Sequence, residues 1–222
     1  MPGKNKYLLS IKIFLVFLIS FLSAEAGEGP DPCNESTPAS SIISYSVINS
    51  SWLSLQGTTN VNTFECFSAG SDFRGYLVTD TCFDGKRVDI TGAEILVNVK
   101  SFDCKNPLIT RDMHDALGGR ERSGIKIKLS DAILIDTNWN SADGYIMANI
   151  LISINGISKA KELKINWQRR GYEYSFEGTA ELSMAEFDIE PPSPALGIVR
   201  VNDNITVNFN YNIRSGEISR LE

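Results

Sequence analysis

The chain has 222 residues, 42% of them hydrophobic and 22% charged, with 21 Lys+Arg against 27 Asp+Glu and a formal net charge of −6. These proportions exclude a disordered chain, a coiled coil and a polytopic membrane protein, and they fit one domain with a substantial core. The acidic balance, without a local run of Lys and Arg, makes nucleic acid a poor partner.

The first element in chain order is an address. Lys4 and Lys6 form a positive start, an apolar stretch runs over 8–22, and Ala24 and Ala26 stand at the −3 and −1 positions. This is the pattern of a secretory signal peptide over 1–26, cleaved between Ala26 and Gly27, and it places the remainder in the periplasm or outside the cell. The most apolar part, 13–22, is about half of the roughly 20 residues that a spanning helix needs, so no membrane span is expected after cleavage. Residues 27–41, with Gly, Pro, Ser, Asp and Asn, read as an irregular arm. Residues 42–222 read as one domain.

That domain alternates apolar and polar residues, the signature of half-buried strands. Short strands are expected near 42–48, 51–57, 61–68 and 76–80. The stretch 87–101 carries apolar residues in both phases around Gly92, as a bulge or bend there would produce. Residues 107–117 read as a short amphipathic helix. Asn106 caps it, Pro107 takes the first position, Ile109, Met113, Ala116 and Leu117 share a face, and Gly118-Gly119 ends it. Long strands follow. In 123–136 the inward set is Ile125, Ile127, Leu129, Ile133 and Ile135. In 144–155 it is Ile146, Ala148, Ile150, Ile152 and Ile154. In 158–169 it is Leu163, Ile165 and Trp167. In 172–184 it includes Tyr174, Phe176 and Ala180, and in 204–214 Ile205, Val207, Phe209 and Tyr211. One apolar and one wet face per strand is the habit of antiparallel sheets. Long strands with hairpin connections and one helix favour a closed or nearly closed barrel, which removes exposed edges, although the alternation equally allows a two-sheet sandwich.

Four cysteines follow the signal segment: Cys33, Cys66, Cys82 and Cys104. An even number in an exported chain favours disulfides, and three pairings are open. Cys66 and Cys104 each stand two residues after a Phe at an expected strand end, which favours Cys66–Cys104 with Cys33–Cys82. No C-x-x-C occurs and the only histidine is His114, so no metal site is expected. His114 falls on the helix side away from Met113 and Leu117 and reads as an exposed surface histidine. No nucleophile elbow, zincin motif or phosphate loop occurs, so neither catalysis nor a cofactor is expected. Arg169-Arg170 before Gly171 reads as a solvated turn.

Certain segments, taken in order, carry a family resemblance. A Trp52-x-Leu-x-Leu strand leads into Gly57-Thr58-Thr59-Asn60-Val61-Asn62-Thr63-Phe64-Glu65-Cys66. Later come Val99-Lys100-Ser101-Phe102-Asp103-Cys104-Lys105-Asn106-Pro107, the helix, and an x-Ile-x-Ile-x-Leu-Ser strand. Near the end stand Phe187-Asp188-Ile189-Glu190-Pro191-Pro192 and Leu196-Gly197-Ile198-Val199-Arg200-Val201. Over about 48–214 this order resembles the YceI-like family, in particular its secreted Bacteroidetes-type branch. The resemblance implies an all-β, lipocalin-like antiparallel barrel with one short helical insertion at about 107–117. It implies a polyisoprenoid-binding interior, and it strengthens the Cys66–Cys104 pairing, because both cysteines stand in matched segments.

No family motif assigns lining residues, so these follow from the apolar face alone: Ile127, Leu129, Ile150, Ile152, Leu163, Trp167, Phe176, Val207 and Phe209. If they leave a continuous void, an apolar chain such as a polyisoprenoid or another lipid would bind by leaving water, at about 0.8 kcal/mol per buried CH₂. The expected function is then a non-catalytic carrier or store of a hydrophobic small molecule. The alternative is a filled barrel serving as an envelope scaffold or interaction module.

Overall fold

The structure is a computed structural model that describes residues 39–69, 74–81, 86–118, 124–135, 141–193 and 198–220. The signal segment, Cys33 and Cys82 lie outside the described residues.

Alternation becomes one antiparallel sheet curled into a barrel. Its first strands are β1 (Ala39–Val47), β2 (Trp52–Thr59), β3 (Thr63–Ala69), β4 (Arg74–Thr81), β5 (Arg87–Thr91), β6 (Glu94–Val97) and the short β7 (Phe102–Asp103). Helix α1 (Pro107–Ala116) precedes the long strands β8 (Ile125–Ile135), β9 (Asp143–Ile154), β10 (Ile157–Arg170), β11 (Glu173–Ser183) and β12 (Val201–Arg220). The ladder runs β1-β4-β5-β8-β9-β10-β11-β12. The turns fit their residues. Asn155 and Gly156 both have positive φ, as a two-residue hairpin loop requires, and Gly171 supplies the positive φ that opens the next one.

Strand β12 organises the barrel. One edge pairs β11 throughout, from Asn204 to Arg214. Its other edge is shared: Val201–Asn210 pairs β2, and Ile213–Arg220 pairs β1. Since β1 also pairs β4, the hydrogen bonds run right round at this end. The other end is different. There β2 continues into β3 and β7, while β8 pairs β6, and no ladder joins β7 to β6 among the described residues.

That seam is filled with side chains. Val97, Val99, Phe102, Cys66 and Cys104 are all buried in it, and Cys66 is bonded to Cys104. The bond spans 38 residues of sequence, for which chain-entropy arguments give about 4 kcal/mol of stabilisation. Helix α1 covers the seam. Thr110 Oγ1 accepts from the Cys104 amide at 3.0 Å, and Asn155 Nδ2 donates to Ala116 O at 3.3 Å. His114 is not the exposed residue expected from sequence: it is half-buried, with Nε2 3.0 Å from Phe102 O, and ties the helix to β7. The helix start is as the sequence predicts, with the Asn106 side chain accepting from the Leu108 and Ile109 amides.

Three further expectations need correction. The arm expected to reach residue 41 yields to β1 from Ala39, because β4 and β12 both offer it partners. The last strand does not stop at 214 but continues to Arg220 along β1. In β8 the inward set changes phase. The register with β9 slips between Leu129 and Asp131, a β-bulge, so Ala132 and Leu134 are buried at 2% and 3% while Ile133 is 38% exposed. Asp131, at the slip, is 9% exposed and accepts from Asn149 Nδ2 at 2.9 Å. The bend expected at Gly92 is present: its φ is 87°, and it separates β5 from β6 along β8.

Candidate functional site

The inward faces do not meet in the middle. They enclose a cavity of about 820 Å³, toward the upper end of ordinary small-molecule sites at roughly 300–1,000 Å³. It is long rather than round. Along β12 the wall runs from Val201 to Ser215, about 45 Å of strand at roughly 3.3 Å per residue, before strand tilt shortens it.

Small residues hold the space open. Ala132 and Ala148 face one another across β8 and β9, Ala180 stands on β11, and all three line the wall. Two glycines do the same for aromatic rings. Gly178 pairs Phe209, and a Cβ added at Gly178 would stand 2.6 Å from that ring. Gly57 pairs Phe64, and a Cβ there would stand 2.3 Å from its ring. Each ring therefore lies over its glycine on the lumen wall, in room that a side chain there would take.

The two ends differ in chemistry. The mouth is formed by α1, the β2–β3 turn and the segment before β12. Ile109, Met113, Ala116 and Leu117 present the apolar face of α1 to the cavity, while Val61 and Leu108 at the rim are 66% and 62% exposed. The 3-10 turn Met184–Phe187 borders this end and is pinned by two carboxylates. Asp203 accepts from Ser183 Oγ and from the Ala185 amide, and Lys161 Nζ bonds Glu186 at 2.7 Å. The Ser183 hydroxyl and backbone amides hold the Asp203 carboxyl below its usual range, and the Lys161 ammonium does the same for Glu186.

The far end is aromatic. Tyr174 stacks on Phe176 with centroids 6.3 Å apart, and Phe209 lies 6.1 Å from Tyr211. Tyr45 crosses from β1 to the Gly92 bend, donating to Glu94 O and accepting from Glu94 N, both at 3.1 Å. Burial pushes the Tyr45 phenol up and pushes Tyr211 up to about 12.

Eight of the nine residues named from the apolar face stand on the cavity wall: Ile127, Leu129, Ile150, Ile152, Leu163, Phe176, Val207 and Phe209. Trp167 departs from that expectation. It is 2% exposed and points inward, yet it is not on the wall; it is packed core, paired with Phe176 and Gly144 in register. Its size, which suggests a lining role, is what lets it fill its end of β10 completely. Sequence reasoning missed Tyr45, Tyr174, Tyr211 and the apolar face of α1 as wall residues. For Tyr174, Tyr211 and the α1 face the signal was available, because each shares the parity or helical face of residues already read as inward; for Tyr45 no inward face is read in 42–48. Arg170 is exposed at the hairpin remote from α1, so the Arg169-Arg170 pair does not border the mouth. Among the described residues, no group of three or more His, Cys, Asp and Glu is arranged to hold a metal, and no helix is long and apolar enough to cross a membrane.

No family model matches the chain, and no curated protein does. Solved structures do. A polyisoprenoid-binding domain from Saccharophagus degradans, implicated in plant cell wall breakdown, is similar with a TM-score of 0.53 at 11% identity, over 78% of this chain and 98% of that one. BcnA of Burkholderia cenocepacia aligns with a TM-score of 0.47 at 15% identity, over 73% of this chain and 95% of that one. At such identity the first likeness shows a shared fold: an all-β, lipocalin-like barrel with one helical insertion.

Proposed function

We propose that this chain is an exported, non-catalytic barrel that carries or stores an apolar chain, a polyisoprenoid or another lipid, inside its wall. On the motif order described above, it would belong to the secreted Bacteroidetes-type branch of the YceI-like family and act in the periplasm or outside the cell after cleavage at Ala26/Gly27.

The observation that carries this reading is the long apolar lumen. The lumen of about 820 Å³ opens at the mouth and is walled almost wholly by apolar side chains. Such an aliphatic wall offers water few partners. An apolar chain matches the wall, and each CH₂ that leaves water contributes about 0.8 kcal/mol. The structural likeness to a polyisoprenoid-binding domain supports the same ligand class. A filled scaffold would need side chains where Ala132, Ala148 and Ala180 leave room.

Native mass spectrometry on protein purified from its own envelope tests the reading. A retained lipid-like mass, released on denaturation, is the expected result. Apo mass alone across independent preparations would reject the carrier role.

A further inference from the structure

The exposed large hydrophobic side chains are not spread evenly. Among the described residues the three most exposed aliphatic ones are Ile198, Val61 and Leu108, at 72%, 66% and 62%. All three stand at the mouth, and they come from three separate segments. Val61 is in the β2–β3 turn, Leu108 in the first turn of α1, and Ile198 in the segment before β12. The other exposed large hydrophobics, Phe67, Leu96, Ile133, Tyr145 and Tyr172, lie on the outer wall or at the hairpin remote from α1. A single exposed aliphatic residue is ordinary, whereas three gathered about one opening form a patch that calls for a partner.

Polar groups hold these side chains where they are. Asn60 Nδ2 donates to Ile198 O at 3.0 Å, the Asn60 amide donates to Arg200 O at 3.1 Å, and the Arg200 amide donates to Asn60 Oδ1 at 2.9 Å. Those bonds tie the β2–β3 turn to the segment before β12. Within the turn, Thr59 Oγ1 accepts from the Val61 and Asn62 amides at 3.1 and 2.9 Å. The Asn106 side chain accepts from the Leu108 amide at 2.9 Å. The tips are thus ordered in advance, and little conformational freedom is left to lose when an apolar phase covers them.

Two observations select that phase. Val61 and Leu108 also line the lumen, so the rim and the lumen wall are one continuous apolar surface. The rim segments 59–63, 105–112 and 189–201 hold Lys105, Arg111 and Arg200 against Asp112 and Glu190, a cationic surplus in a chain whose net charge is −6. Exposed aliphatic tips among cations suit the edge of an anionic phospholipid layer, where apolar groups enter the acyl boundary and cations meet phosphate.

We propose that the mouth docks on a phospholipid bilayer, with Val61, Leu108 and Ile198 entering its surface and the lumen opening toward it. The docking stands on the rim. That the guest moves between bilayer and lumen through this contact rests on the carrier reading and adds to it the partner from which the lumen is loaded.

Flotation with vesicles of phosphatidylcholine and phosphatidylglycerol in equal parts tests the docking. The protein is expected to float with the vesicles. Val61→Asp, Leu108→Asp and Ile198→Asp should each weaken vesicle binding about tenfold or more, the effect of withholding one aliphatic side chain from an apolar phase. Tyr172→Asp, equally exposed but at the remote hairpin, should float as the unaltered protein does. Ile198 is not on the lumen wall, so Ile198→Asp should keep its affinity for N-phenyl-1-naphthylamine in solution, and its melting curve confirms that it is folded. Transfer of that dye from loaded protein to vesicles gives a second readout: its rate should rise with vesicle concentration, and Ile198→Asp should slow it. No flotation, equal flotation of the protein and all three rim variants, or a transfer rate independent of vesicle concentration would overturn the docking and leave the carrier reading intact. A dimer that Ile198→Asp dissolves, without vesicle binding, would assign the rim to a second copy of the chain and overturn the bilayer. Flotation without any dye binding in solution would overturn the carrier reading and leave the docking.

Discussion

Two regions of this barrel bury the same kinds of residue to opposite ends. At the seam between β7 and β6, Phe102, Val97, Val99 and the Cys66–Cys104 bond are packed solid. Across the lumen, Phe176, Phe209, Ile150 and Ile152 also face inward, but toward space. In the seam, apolar side chains stabilise the fold by touching one another. On the lumen wall, part of each side chain is left without a protein contact. Burial by itself does not separate the two roles: Phe102 is 2% exposed and Phe209 only 9%. What separates them is whether atoms stand on the far side.

The sharpest way to break this comparison is one substitution made in both places. Phe102→Ala should destabilise the protein by about 3–5 kcal/mol, the usual range for a packed ring. Phe176→Ala should cost about 1 kcal/mol, because its ring already borders a void. Urea denaturation of the two variants, with unchanged m-values, checks this. Equal losses would mean that the lumen is packed after all.

A smaller effect is expected from filling the lumen. Ala148→Phe places a ring at a fully buried wall position on β9. Apolar-probe affinity should fall at least about tenfold, roughly 1.4 kcal/mol, with thermal stability nearly kept. Dye titration and a melting curve on the same sample read both. Unaltered affinity would show that the guest does not pass Ala148.

Acid should act most weakly, and at the mouth first. Asp203 and Glu186 have carboxyls held below their usual range by Ser183 and Lys161. A depressed folded-state value stabilises above the ordinary carboxylate range, and that contribution is lost as pH falls through the depressed value. Between about pH 4 and pH 2, hydrogen exchange at 184–187 should quicken before exchange in β9 and β10. Simultaneous opening of all three would argue against a separately pinned turn.

Much of the fold was legible because alternation and capping are local. The inward faces of β9, β10, β11 and β12 follow from period two, and α1 follows from Asn106, Pro107 and Gly118. The phase change in β8 was less legible. Five Ile and Leu residues of one parity outweigh the small Ala132, yet the bulge at Leu129/Asp131 turns Ala132 and Leu134 inward and Ile133 out. The cavity was legible only as a face. Parity says which side chains point in, not how much volume they leave. That volume depends on Ala148 meeting Ala132, on Phe209 lying over Gly178, and on Trp167 filling its own end, all of which are cross-strand facts. Tyr211 reads as inward in 204–214 but is left out of the lining residues, because parity alone does not say which inward side chains border the void.

The divided edge of β12 has a temporal consequence. Ser41 finds Arg220, and Thr59 finds Val201, on one and the same strand. Until that strand has been made, β1 and β2 lack their shared template and the tube stays a split, curved trough. Its girdling step is thus a long-range one and belongs to the slow class of folding events. An oily passenger present at that moment could be laid into the open trough and wrapped, rather than threaded through a finished mouth.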